Sequence, residues 1–156
     1  MKLANLLGEL KEKDFFKKFM EENSDAFFAA GFIVLDDSGE DKYQLDYFIP
    51  SKKKIASVEF PFKQMKIHED VIEKAERLKV VEIDICDLRE RVEEIKKSKA
   101  IPLKTKKIIA LLKDDLWQLT CLSDTLDMLK IHVHSVNGEV KRCEKLNLFS
   151  MIGKPK

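Results

Sequence analysis

His132 and His134 lie two residues apart in "IHVHSVNGEV" (131–140), and Cys143 follows just beyond the Asn137-Gly138 pair. Residues two apart in a strand share a face. Pairing outward from Asn137-Gly138 as a two-residue type I′ turn sets His134 opposite Lys141 and His132 opposite Cys143. Imidazole and thiolate both bind zinc, but zinc takes four ligands, or three and a water, near tetrahedral angles. A fourth ligand would have to come from Cys121 or His68, while Lys130, Lys141 and Lys145 crowd the same surface and oppose a cation. The expectation is a solvated hairpin face and no metal. Cys143 beside His132 is also the pairing a thiolate nucleophile needs. On an open sheet face it has no cleft, so an enzyme built on Cys143 or Cys121 is a second alternative.

The other chemistry-bearing residues are dispersed. The acid pairs Asp36-Asp37, Glu93-Glu94 and Asp114-Asp115 fall at turns or on helix faces, and the glycines at 8, 31, 39, 138 and 153 build no phosphate loop. No catalytic or cofactor-binding residue is expected. Lys96, Lys97, Lys99, Lys104, Lys106 and Lys107 form an acid-free basic run. Such a run could bind phosphates, and a nucleic-acid-associated protein is the first alternative function. Against it, the run has no arginine and no interleaved aromatic for base stacking.

Composition sets wider bounds. Of 156 residues, 44% are hydrophobic, which describes a folded chain with a core. Charged residues reach 37%, yet 29 basic and 28 acidic residues nearly cancel, so no global attraction to nucleic acid or membrane follows. The N-terminus lacks the apolar run and cleavage site of a signal peptide, and the three cysteines are odd in number and widely spaced. The expectation is a cytoplasmic protein with free thiols at Cys86, Cys121 and Cys143.

The elements that must position these residues follow from periodicity. Leu3, Leu6, Leu7, Leu10, Phe15, Phe16 and Phe19 recur at helical spacing and predict a helix over 2–22. Residues 26–37 read as a buried strand. A hairpin over 42–49 and 54–62 has a register that can be checked. Ile49 opposite Lys54 puts Tyr47 on Ala56, Leu45 on Val58 and Tyr43 on Phe60, all on one face. Short helices are expected over 68–79 and, capped by Asp84, over 85–98, with another from Pro102 to about 114. Strands follow over 116–123 and 128–135, then the return of the second hairpin. Leu129, Ile131, Val133, Val140, Leu146 and Leu148 mark its expected buried face.

The helix, strand and hairpin order near the N-terminus recurs from about 103 to 150. Trp117 opening a strand, and Gly138-Glu139-Val140 leading into a return strand, resemble PepSY and cystatin-like modules over roughly 103–148 and more loosely 10–62. The acid usual before that turn is absent. The resemblance implies a small binding or inhibitory module, often acting on a peptidase, without catalysis. The fold expected is α+β, with two cystatin-like α-β-β-β antiparallel meanders over 1–66 and 102–156 and a helical segment over 67–101 between them. The function expected is non-catalytic binding of a protein or peptide, by strand addition at an edge formed by 54–62, with Lys54, Ser57 and Glu59 as its partner-binding residues.

Overall fold

The computed structural model describes residues 2–79 and 81–147. Two helices, α1 (Leu3–Lys11) and α2 (Asp14–Glu22), precede four strands: β1 (Phe27–Asp36), β2 (Lys42–Ile49), β3 (Lys54–Glu59) and β4 (Lys66–Ile67). After a long connection, a 3-10 turn (Ile85–Asp87) leads into α3 (Leu88–Ser98). Four more strands follow: β5 (Lys107–Lys113), β6 (Leu116–Leu122), β7 (Asp127–His134) and β8 (Val140–Asn147). All eight form one antiparallel sheet in the order β4-β3-β2-β1-β5-β6-β7-β8.

This overturns the expected pair of α-β-β-β units packed with extra helices. The first strand of each run, β1 and β5, pair directly from Ala30↔Lys113 to Asp36↔Lys107, so the two runs share one sheet. The helix expected from Pro102 is strand β5. Its apolar run, Ile108 to Leu112, has too few residues for a stable helix but suits a central strand paired on both edges, with Ile108, Ala110 and Leu112 buried on one face.

The single helix expected over 2–22 is broken at Glu12-Lys13. At 3.6 residues per turn, one continuous helix would carry the leucine stripe and the Phe16/Phe19 stripe on nearly opposite sides. The break lets both face the sheet: Leu3, Leu6, Leu10, Phe16 and Phe19 are all buried in the core, and Phe16 meets Tyr47 edge-on at 5.3 Å.

Residues 68–79 contain no helix either. The connection is anchored by Ile72 N–H on the Lys53 carbonyl, Leu78 N–H on Phe28 and Ile83 N–H on Ser135, so it crosses one end of the sheet from β3 to beyond β7. Five inter-strand steps span about 24 Å. Eleven helical residues would reach only about 17 Å. The chain must therefore run extended.

The helices cover one face. Beneath them lie Ile33, Leu35, Leu45, Tyr47, Ile49, Ala56, Val58, Ile108, Ala110, Leu112, Trp117, Leu119, Leu129, Ile131 and Val133, alternating along each strand. Two contacts tie the helices to their places. Asp84, the cap of the 3-10 turn, also accepts from the N–H of Leu3 at 2.7 Å, and fully buried Trp117 donates to the Ile83 carbonyl at 2.7 Å.

Candidate functional site

Among the described residues, the other face carries no helix. Its residues can be laid out from the strand registers. One row across the sheet reads Glu59, Gln44, Phe32, Leu111, Gln118, His132, Arg142. The next reads Lys42, Val34, Ile109, Thr120, Lys130, Glu144. At the centre, on β1 and β5, the rows place Phe32, Val34, Ile109 and Leu111 side by side, and Phe32 is 39% exposed. Toward the margins the rows turn polar and charged. One corner is roofed: Phe48 is buried against Phe27, over which the Arg77 guanidinium lies at 4.8 Å.

The opening histidines belong to this face, in altered company. The first hairpin has the expected register, Ile49↔Lys54 to Leu45↔Val58. The second does not. Cys143 faces Ile131, Arg142 faces His132 and Glu144 faces Lys130, one residue away from the expected pairing. Cys143 therefore lies on the helix side, and Arg142, Glu144 and Leu146 lie on the open side; Leu148 falls outside the described residues.

The shift arises in the turn. Only Gly138 takes positive φ (75°), whereas a type I′ turn needs it at both central residues. Instead His134 organises a longer turn. Its Nδ1 accepts from the N–H groups of Val136 and Asn137, both at 3.2 Å, and its carbonyl accepts from Gly138. The two-residue loop with positive φ at both positions is Asp114-Asp115, between β5 and β6.

With His132 and Cys143 on opposite faces, the imagined ligand set is not assembled, and the described residues contain no cluster of three metal-ligating side chains. Burial, with smaller contributions from Arg142 and Lys130, holds the His132 pKa below its ordinary value. The thiols are placed poorly for nucleophilic work. Burial pushes Cys121 up to about 12, and burial also raises Cys143.

The basic run is broken up. Lys96 is 6% exposed, and its ammonium is held by the Leu103 carbonyl (2.7 Å), Thr105 Oγ1 (3.0 Å) and Glu93 (2.7 Å). Lys106 and Lys107 lean toward Asp124 and Asp36. Lys97, Lys99 and Lys104 remain exposed. The expected edge is corrected as well. β3 is not marginal, since Ser57 pairs with Lys66 and Ala56 with Ile67 of β4. Ser57 is buried, Lys54 reaches the Glu69 carbonyl, and Glu59 is exposed.

Ser57 heads a cluster that sequence reasoning missed. Its hydroxyl donates to Asp46 Oδ1 at 2.6 Å and lies 2.8 Å from His68 Nε2, while Gln44 donates to the same Asp46 oxygen at 3.0 Å. A serine nucleophile needs the imidazole to take its proton. Here the carboxylate accepts that proton's hydrogen bond, so His68 must donate to the serine. The cluster fastens β2, β3 and the chain after β4 together, at the rim of the open face. No spacing in the sequence links residues 44, 46, 57 and 68, so only the β2–β3 register could have signalled part of it.

No family model matches the chain, and no curated protein matches it. Among solved structures, the crystal structure of a candidate lipoprotein from Clostridium difficile 630 aligns with 86% of this chain and 97% of its own. Identity is 18% and the TM-score 0.43, a coarse likeness from which nothing is carried over.

Proposed function

We propose that this chain is a non-catalytic module that binds a protein partner through the open face of its sheet. The observation that carries the reading is the apolar patch of Phe32, Val34, Ile109 and Leu111, central on a face that no helix among the described residues covers and bordered by polar residues. Protein interfaces share that anatomy, with an apolar centre inside a polar rim. Lys42 and Lys113 border the patch, but so does Asp36, and Glu59 lies as near it as Lys130 does, so the rim carries both signs and a partner offering an apolar protrusion within a mixed polar margin fits it best. The PepSY-like "GEV" and Trp117 extend the reading to a peptidase as the partner. Three free thiols suit a reducing cytoplasm.

The test is affinity capture with matched variants. Leu111→Lys, at the centre of the face, is expected to abolish capture of the specific partner, while Lys17→Glu on exposed α2 retains it. Peptidase activity in the captured fraction, altered by the free chain, supports the extended reading. Heparin retention that falls steeply with salt and survives Leu111→Lys would favour the nucleic-acid alternative instead.

A further inference from the structure

The two margins of the sheet are finished differently. At one, β4 has only two residues, and the chain beyond it keeps pairing: His68 N–H donates to the Ile55 carbonyl at 2.9 Å and Ile72 N–H to Lys53 at 2.8 Å. At the other lies β8, and among the described residues no strand lies outside its stretch from Lys141 to Lys145. A long edge with unmatched backbone N–H and C=O groups is a template for another strand. Charges commonly blunt such edges, and β8 carries Lys141, Arg142, Glu144 and Lys145. These charges are of both signs, so which strand they exclude depends on register.

A second copy, rotated about a two-fold axis perpendicular to the sheet, would bring its own β8 alongside, antiparallel and with the same faces aligned. Facing residues must then lie on the same side of the sheet. Of the three registers centred on the middle of β8, one sets Arg142 against itself and another sets Glu144 against itself. The third, centred on Cys143, sets each Arg142 against Glu144 of the other copy, twice over. It also sets Lys141 against Lys145, but Lys141 keeps its own ion pair with Glu139 at 3.0 Å. Within one chain Arg142 and Glu144 already touch on the open face, so pairing redistributes an existing ion pair rather than burying lone charges.

We infer that the chain self-associates through β8 in the register centred on Cys143, joining two open faces into one continuous surface. This pairing does not depend on what the open face binds. The two Cys143 Cα atoms would face each other at about 4.5–5.5 Å. That is within the span a disulfide bridges.

The full-length chain provides the test, by sedimentation and by cross-linking at pH 8.5. Diamide takes two electrons and two protons from a pair of thiols as their S–S bond forms. It is expected to yield a covalent dimer from the wild type and from Cys86→Ser, and none from Cys143→Ser. In sedimentation, Arg142→Glu should weaken the dimer about tenfold, by replacing two cross-strand attractions with repulsions. Arg142→Glu combined with Glu144→Arg should restore it. A chain that stays monomeric at millimolar concentration overturns the inference. So does a dimer that neither Arg142→Glu nor Cys143→Ser affects.

Discussion

The two faces of the sheet are built from the same strands, yet they divide the work. On the helix side alternate apolar residues of β1, β2, β3, β5, β6 and β7 enter one continuous core, with Leu45, Ala110, Leu112, Trp117 and Leu129 fully buried. On the other side the intervening residues run from the half-buried Ile109 and Leu111 to the charged Lys130 and Arg142, and little above them needs their particular shapes. Stability is therefore concentrated on one face, and the other is free to be chosen for contact. Substitutions should separate the two faces cleanly.

The largest effect is expected at Trp117, which combines full burial with a hydrogen bond to Ile83. Trp117→Ala should cost about 3–5 kcal/mol in denaturant unfolding. A cost near that of an open-face truncation would break the comparison.

The covered face should also show itself in alkali. Burial raises Tyr47 from 10.0 to about 12 and Cys121 from 9.0 to about 12. Above pH 9 the unfolded chain loses these protons while the folded chain keeps them. The stabilisation they supply is whole below pH 9 and is lost as pH rises toward 12, on the order of a few kcal/mol in all. Unfolding free energies measured across that window should fall. Cys121→Ala should flatten the lower part of the decline.

On the open face, Leu111→Lys should destabilise by only about 1 kcal/mol, because the side chain is half-buried and the lysine stem can lie along the sheet. A cost of the Trp117 size would mean that this face carries structure after all. His134→Ala should cost about 0.5–1 kcal/mol through loss of the two backbone N–H groups its ring accepts, as cap removals do. An effect of zero would remove His134 from its place in the turn.

The two hairpins show what was legible. In the first, Tyr43, Leu45 and Tyr47 face Phe60, Val58 and Ala56, and any slip of one residue would bury Gln44, Asp46 and Glu59; pattern alone sets the register. In the second, the return strand "VKRCEKLN" has only two apolar residues besides its cysteine, so the turn decided the reading. Asn137-Gly138 signalled a type I′ turn, and the His134 ring overrode it with local hydrogen bonds that no periodicity reveals. β5 was misread for a related reason. "KIIALLK" alternates no polar residue into its centre, because Ile108, Ala110 and Leu112 enter the core while Ile109 and Leu111 form the apolar centre of the open face. The strand from 27 to 36 and the Asp84 cap were legible because each rests on local chemistry. The open face was not, since it depends on β1 pairing with β5 across a separation that local pattern does not encode.

The proposal that the open face is the binding surface meets its most direct test in quantitative capture by the wild type and Leu111→Lys, with equal helicity and unfolding midpoints within the small shift above. The account predicts a partner retained by the wild type and by Lys17→Glu and lost from Leu111→Lys. A folded Leu111→Lys chain that captures the same partner to the same extent would contradict it.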